Sequence, residues 1–379
     1  MNSVIVFGSG LVGASIALDL GADPDFKVCV VDKNPEALKI LNAGHSIQTI
    51  ISDLSKPQNI KNLVRGFDFV VSAVPGFMGF KTLKAVIEAG KNVVDIAFFP
   101  EDPFLLDHLA KNRSVTAVVD CGVAPGMTNM LAGYADRILD TTEALSIYVG
   151  GLPEVRQWPY EYKAGFSPLD VIEEYVRPAR YVENGKMVVR QALSEPEFIE
   201  FPEIGTLEAF NTDGLRTLTR TLSIPNMKEK TLRYPGHIEK IAVLRETGFF
   251  SSEEIEVWGV KIRPMDITAR LLFPKWQLKA GDRDLTVLKL SAEGRKKGRG
   301  MRYVYEMLDR YDPGTRIHSM ARTTGYTATC MVRLLARGLF TDKGITPPEF
   351  IGRNPECTAF MLKGLKQRGV VYKERVESF

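Results

Sequence analysis

The chain has 379 residues, 45% of them hydrophobic and 25% charged, which matches an ordinary globular protein and excludes a disordered or fibrous one. At about 150 residues per domain, that length suits two domains. The 49 Lys and Arg against 46 Asp and Glu leave a formal charge of +3, too balanced for a nucleic-acid footprint, so no such partner is expected.

No uncharged apolar run reaches the roughly 18 residues of a membrane span. The opening MNSVIVFG reads directly as a strand, without a basic leader or cleavage site. Cys29, Cys121, Cys330 and Cys357 show no paired spacing and read as reduced thiols, neither a disulfide frame nor a metal site. The expectation is a cytoplasmic two-domain protein with no membrane partner.

In chain order, Val4 to Phe7 reads as a buried strand and Leu11 to Leu20 as a helix stopped by Gly21. Lys27 to Asp32 is the second strand. Asn34 caps the next helix, with Pro35 at its first position and Gly44 past its end. Ile47 to Ile51 is the third strand, followed by a helix opened by Ser55 and Pro57. Asp68 to Ala73 is the fourth, with a helix from Gly79 to Ala89 after it. Asn92 to Ile96 and Val115 to Asp120 are the fifth and sixth, separated by a helix capped near Asp102 and Pro103. Short Val- and Ile-rich strands alternating with helices predict an α/β fold, a doubly wound Rossmann-type parallel sheet.

Beyond about residue 142 the rhythm changes. Arg180 to Glu183 and Lys186 to Arg190 flank Asn184-Gly185, a preferred two-residue hairpin turn. Thr206 to Phe210, Ile255 to Ile262, Leu285 to Leu290 and Tyr303 to Met307 read as further strands of a mainly antiparallel sheet. The basic run Arg295 to Arg299 between two of them reads as a solvated hairpin tip. Helical periodicity returns at Ser319, through Thr327 to Arg337 and Thr358 to Arg368, ended by Gly338 and Gly369. The expected domains are 1–124 with 319–379, a dinucleotide-binding domain, and an inserted α+β domain, 125–318, for substrate binding and dimerisation.

Gly8-Ser9-Gly10-Leu11-Val12-Gly13 is a G-x-G-x-x-G element placed after a strand and opening a helix, the context its mechanism needs. Gly8 permits the turn, Gly10 lets a diphosphate approach the backbone, and Gly13 lets the helix pack on the sheet. The phosphates then lie on the helix N-terminus, against the backbone of Leu11 and Val12. Asp32 ends the second strand about 20 residues on, where a carboxylate accepts hydrogen bonds from an adenosine ribose and repels a 2′-phosphate. NAD is therefore favoured over NADP, although Lys33 next to Asp32 leaves room for the latter. Asp53 is placed beside the adenine. The turns Ala73-Val74-Pro75, Asp95 to Ala97 and Gly122, at the carboxyl ends of strands, are placed around the nicotinamide.

Beyond Gly8 to Gly13, the segments Val74 to Lys81 (VPGFMGFK), Asp120 to Met127 (DCGVAPGM), Tyr148 to Pro153 (YVGGLP) and Thr231 to His237 (TLRYPGH) resemble the saccharopine dehydrogenase-like family nearly end to end. Leu207 to Phe210 and Pro347 to Glu349 extend the likeness, which within the family is to NAD-dependent L-lysine 6-dehydrogenases. The resemblance implies oxidative deamination of the lysine side chain to 2-aminoadipate 6-semialdehyde, which cyclises to a piperideine carboxylate, with release of ammonia. It also implies C-terminal helices that return to the nucleotide domain and a homodimer built on the middle sheet. Fungal saccharopine reductases carry an aspartate before the proline of the Gly-x-x-Pro-Gly motif, where this chain has Ala124, and a tyrosine about where it has Phe98. Both departures argue against saccharopine and leave the catalytic acid or base unassigned.

Hydride removal from an amine carbon requires a neutral amine, and a lysine amine has a pKa near 10.4, so a base or a desolvating pocket is needed. The candidate proton carriers are Lys81, Asp95, Asp120, Tyr160, Tyr162 and His237. Arg216 and Arg233 are the candidate clamps for the substrate carboxylate. Trp158, Tyr160, Tyr162 and Phe166 are candidates for an aromatic wall, and Glu208 and Asp213 for holding an ammonium. Core packing, helix-surface exposure and salt bridging are the plain alternatives for these residues. The leading reading is an NAD-linked lysine dehydrogenase; the others are a saccharopine-type enzyme and a nicotinamide sensor without turnover.

Overall fold

The computed structural model describes residues 1–42, 47–279 and 281–379, and Gly44 lies outside them. Two compact units form: Met1–Ile138 with Ala321–Tyr372, and Leu139–Met320 with Lys373–Phe379. The sequence reading divides the chain at 124 and 319. The first unit extends to 138 because the helix Met127–Ile138 packs within it, and the last seven residues join the other unit as a strand.

In the first unit the chain runs β1 (Asn2–Phe7), α1 (Leu11–Gly21), β2 (Phe26–Asp32), α2 (Pro35–Asn42), β3 (Gln48–Ile51), α3 (Pro57–Leu63), β4 (Phe69–Ser72), α4 (Gly76–Glu88), β5 (Asn92–Asp95), α5 (Asp107–Asn112), β6 (Thr116–Val118) and α6 (Met127–Ile138). The Asn34 carboxamide caps α2 by accepting from Glu36 N at 3.1 Å. Ser55 does not cap α3: its hydroxyl bonds Asp53, and Lys56 is the residue before the helix. The helix read from Gly79 begins at Gly76, because Pro75 supplies an extended residue that directs the chain straight into it.

The second unit follows with β7 (Thr141–Pro153), α7 (Pro168–Val176), β8 (Ala179–Glu183), β9 (Lys186–Arg190), β10 (Glu197–Phe201), β11 (Gly205–Asn211), α8 (Leu218–Thr221), β12 (Asn226–Arg233), α9 (His237–Glu246), β13 (Ile255–Val257), β14 (Val260–Ile262), α10 (Pro264–Trp276), β15 (Asp284–Lys296) and β16 (Arg299–Arg310). The chain closes with α11 (Ser319–Ala336), β17 (Gly344–Ile345), α12 (Pro348–Gly352), α13 (Pro355–Gln367) and β18 (Tyr372–Ser378).

The sheet of the first unit has seven strands in the order β17-β6-β5-β4-β1-β2-β3, every pair parallel. It is the Rossmann-type sheet with one strand more than the six read from sequence; two residues, Gly344–Ile345, are too short to show a periodicity. Ile5, Phe7, Val31, Val70, Val93 and Ala117 lie in one buried cluster with Leu83 and Val86 of α4. The carboxylate of Asp19 on α1 receives Arg333 of α11 at 2.7 Å and Arg368, just past α13, at 2.7 Å, so the C-terminal helices are tied to α1. Helices α6 and α12 cross without room for side chains: a Cβ on Gly133 would lie 2.2 Å from the Glu349 carbonyl oxygen.

The second unit carries a nine-stranded sheet, β10-β11-β12-β7-β15-β16-β18, with β8 attached at β12 and β9 paired to β8. Its β12–β7 pair is parallel, whereas β10–β11, β11–β12, β7–β15 and β15–β16 are antiparallel. The β8–β9 turn has φ of 49° at Asn184 and 76° at Gly185, the positive values a tight hairpin needs. The basic run forms the tip of the β15–β16 hairpin, with Lys297 and Gly298 both at positive φ. Ile255 to Ile262 is not one strand. Trp258 and Gly259, at φ of 51° and 80°, fold it into an exposed hairpin, a turn concealed by the bulky residue at a position where Asn or Asp is usual. Among the described residues, no helix is long and apolar enough to cross a membrane.

Candidate functional site

The strand order of the first sheet reverses between β1 and β4, so the turns after these two strands open the crevice where such sheets receive ligands. Gly8 sits at φ 96°, and a Cβ there would fall 2.5 Å from the Ala73 carbonyl oxygen. A Cβ on Gly13 would fall 2.1 Å from the Gly8 carbonyl oxygen, whereas one on Gly10 meets nothing within 4 Å. Gly8 and Gly13 are thus required by the fold, and Gly10 faces open space. Leu11 and Val12 begin α1, whose N-cap Gly10 provides no side-chain cap, so the first N–H groups are available to an anion. This bare, glycine-lined turn fits a dinucleotide diphosphate.

Around it, Asp32 accepts from Ser9 N at 2.7 Å and from Asn34 N at 2.9 Å, while Lys33 beside it is exposed. Asp53 follows β3, and the Ser55 hydroxyl and N–H hold its carboxyl below the usual range. Ala73 continues from β4 with its N–H on the Phe7 carbonyl at 2.9 Å; Val74 is buried and Pro75 exposed. Ala97 N–H donates to Asp95 Oδ1 at 3.3 Å, and Gly79 lets α4 rest directly on Ala97 and Phe99.

Asp95 and Asp120 are buried at the carboxyl ends of the adjacent strands β5 and β6. Asp120 adopts φ 51°, a left-handed conformation uncommon for a residue with a side chain, and it leads into the turn in which Gly122 N–H bonds the Pro125 carbonyl at 3.0 Å. Between the two acids, burial above all pushes the Cys121 thiol up, and their charges add to it. Lys81 is an exposed residue of α4.

In the second unit the predicted aromatic wall is split. Tyr162 is buried, and both Tyr160 and Tyr162 pack edge-on against Trp276, with ring centroids 6.0 and 5.6 Å away. Phe166 packs on the same cluster, whereas Trp158 is 84% exposed. Tyr162 is therefore a core residue, and Tyr160 is a half-buried residue at the edge of the same cluster. Arg233 is buried over the face of Tyr162 at 4.4 Å and donates to Glu174 at 2.9 Å, so its guanidinium is an interior ion pair. His237 is buried with Nδ1 2.8 Å from the Tyr160 carbonyl and Nε2 2.9 Å from the Tyr175 hydroxyl. With both ring nitrogens bonded inside the core, it has no nitrogen left for a substrate. Glu208 accepts from Gly236 N at 3.1 Å, and Asp213 is held through both oxygens by Arg180 at 2.8 and 2.7 Å. Asp213 is therefore not an open ammonium site.

Arg177 and Glu229 went unread in the sequence. Arg177 donates to Glu173 at 3.4 Å, and its pKa is lowered first by burial and next by the positive charge of Arg216. Arg177 and Arg180 thus each face an acid of the chain, Glu173 and Asp213. Glu229 is buried on β12, accepting from Thr212 Oγ1 at 2.6 Å and Gly214 N at 3.0 Å, and burial pushes its carboxyl up to about 8. Arg177 and Arg180, three residues apart, were the available signal for the first; Glu229 sits in the charged run Lys228-Glu229-Lys230, which reads as solvent-facing.

Known proteins supply independent comparisons. Residues 4–118 match the family model described as Saccharopine dehydrogenase NADP binding domain, and residues 122–370 match the Saccharopine dehydrogenase C-terminal domain. The chain is 25% identical to the saccharopine dehydrogenase [NADP(+), L-glutamate-forming] of Pyricularia oryzae over 99% of each chain. It is 23% identical to the carboxyaminopropylagmatine dehydrogenase of a Synechocystis species over 98% of each. The mitochondrial alpha-aminoadipic semialdehyde synthase of Mus musculus is 26% identical over 70% of this chain and 30% of its own length. The fold is shared with the apo saccharopine dehydrogenase (L-Glu forming) of Saccharomyces cerevisiae, at a TM-score of 0.80 and 20% identity over the whole of both chains.

Proposed function

The chain belongs to the saccharopine dehydrogenase family, and from that premise we propose that it is a nicotinamide-dependent oxidoreductase of amine carbons, with the side chain of L-lysine as substrate and NAD as acceptor. The observation that carries the reading is the glycine turn after β1, open at Gly10 and flanked by the Asp32 carboxylate. The carboxylate supports NAD over NADP by its repulsion of a 2′-phosphate. Phe98 and Ala124, which lack the phenol and carboxylate carried by saccharopine reductases, support a primary amine over saccharopine.

In this reading Gly8, Gly10, Gly13 and the first N–H groups of α1 hold the diphosphate, and Asp32 orients the adenosine ribose. When bound, the nicotinamide supplies the hydride acceptor. The substrate must shed one ammonium proton first, and Asp120 or Asp95 in the first unit takes it. The net change is R–CH2–NH3⁺ + NAD⁺ + H2O → R–CHO + NADH + NH4⁺ + H⁺. The working assembly is a homodimer, for which the exposed Met187 and Val189 of β9 and Phe198 of β10 offer apolar surface.

The second reading, a saccharopine dehydrogenase, is favoured by the end-to-end likeness to an L-glutamate-forming enzyme. Purified protein mixed with NAD and L-lysine is expected to generate NADH absorbance and stoichiometric ammonia. NADH formed from saccharopine with release of glutamate, and none from lysine, would establish the second reading instead.

A further inference from the structure

Asp32 receives three hydrogen bonds from its own chain. Oδ2 accepts from Ser9 N at 2.7 Å and from Ser9 Oγ at 2.9 Å, and Oδ1 accepts from Asn34 N at 2.9 Å. A carboxylate has about four acceptor positions, so one remains, on Oδ1. Ser9 is itself 8% exposed, and it occupies the first variable position of the glycine turn, between Gly8 and Gly10. Hydrogen bonds to an ionised acceptor are short and strong, and two of them converge on one oxygen.

The consequence is rotational. An aspartate at the end of a strand turns freely about its terminal torsion when nothing holds it. Here the turn that follows β1 grips the residue that ends β2. Removing the hydroxyl would leave one backbone N–H on each oxygen, two bonds in place of three, and would loosen the hold on Oδ2 and let the carboxylate yield to a nearby anion.

We propose that Ser9 is a positioning residue for coenzyme choice: its hydroxyl pins Asp32 so that one oxygen serves a ribose hydroxyl and the fixed charge excludes a 2′-phosphate. The proposal rests on the dinucleotide reading of the glycine turn and does not depend on which amine is oxidised.

The test is direct titration of the full chain with NADH and NADPH, without substrate, following nicotinamide fluorescence. Wild type is expected to bind NADH in preference. Ser9→Ala should shrink that preference by about tenfold, the worth of one hydrogen bond to a charged group, through weaker NADH and tighter NADPH binding. Ser9→Thr, which keeps a hydroxyl, should hold the wild-type ratio. An unchanged ratio in Ser9→Ala, or a wild type that prefers NADPH, overturns the proposal and leaves amine oxidation standing. Failure of wild type to bind either coenzyme overturns the dinucleotide reading as well. Thermal unfolding checks that each variant is folded, and Ser9→Gly, also without a hydroxyl, replaces the alanine variant if that one is not.

Discussion

The hydroxyl of Tyr175 donates to Nε2 of His237 across 2.9 Å, deep in the second unit. The direction follows from the other side of the ring: Nδ1 is 2.8 Å from the Tyr160 carbonyl, which can only accept, so in the neutral ring Nδ1 carries the hydrogen. Burial, aided by the nearby Arg233 charge, pushes the imidazole down to about 3. A histidine that reads in sequence as a proton carrier is thus a neutral cross-link between α7, α9 and the segment before α7.

That cross-link makes stability depend on pH. The unfolded ring titrates near 6.5 and the folded one near 3, so in this window the unfolded chain binds more protons and acid favours unfolding. The contribution is full above 6.5 and is lost as pH falls toward 3, by up to roughly 1.4 kcal/mol per pH unit. His237→Gln should cost about 2–4 kcal/mol at neutral pH, as a buried network deletion does. That penalty should shrink between pH 6.5 and 5 in denaturant titrations. A penalty constant across this range would mean that the native ring is protonated.

Glu229 works in the opposite sense. Burial raises its carboxyl to about 8 from 4.5, so the folded chain binds more protons between these values and loses stability as pH rises through them. Glu229→Gln mimics the protonated acid and retains an oxygen for Thr212 Oγ1 and Gly214 N. The variant should gain on wild type steadily from pH 5 to pH 8 in urea unfolding. Parallel curves would show that the carboxylate is ionised throughout.

Gly10 and Gly13 separate binding from folding. Gly10→Ala has open space around its methyl and should leave the thermal midpoint unchanged while weakening NADH by about tenfold or more, through loss of close backbone approach. Gly13→Ala forces a methyl to within 2.1 Å of a carbonyl oxygen and should lower both stability, by about 1–3 kcal/mol, and affinity. Fluorescence titration and calorimetry on the two variants read these effects separately. Equal losses of stability would contradict the geometry.

Asp19 anchors the returning helices. It receives Arg333 and Arg368 with all three side chains largely buried. Asp19→Ala leaves the Arg368 guanidinium without its carboxylate, whereas Arg333 keeps Asp23 at 2.9 Å, and should cost about 3 kcal/mol in equilibrium unfolding. A loss below about 1 kcal/mol, the value of an exposed pair, would show the network to be a surface feature.

Much of the first unit could be read from local pattern. Val4 to Phe7, Lys27 to Asp32 and Asn92 to Ile96 are short β-branched runs whose burial on both faces leaves an unbroken apolar signature. Ser9 escaped notice as a variable position in a motif, because its partner lies on another strand. The second unit was harder. Its long strand Thr141–Pro153 mixes charged, glycine and apolar residues, and two of its glycines are set by neighbours: a Cβ on Gly150 would meet Leu232, and one on Gly151 would meet Met320.

What the sequence determines by itself is the backbone: where glycine must take a positive φ, where Asn-Gly turns a hairpin, where β-branched runs extend. These are steric properties of adjacent residues and survive without knowledge of the fold. Only the tertiary structure decides the fate of the polar side chains. Arg233 and Asp213 read as possible substrate ligands and His237 as a proton carrier, and in the structure they bond Glu174, Arg180 and Tyr175. Whether a charge faces a ligand or another charge depends on residues distant in the chain, and on the low polarity of the interior that makes such pairing obligatory.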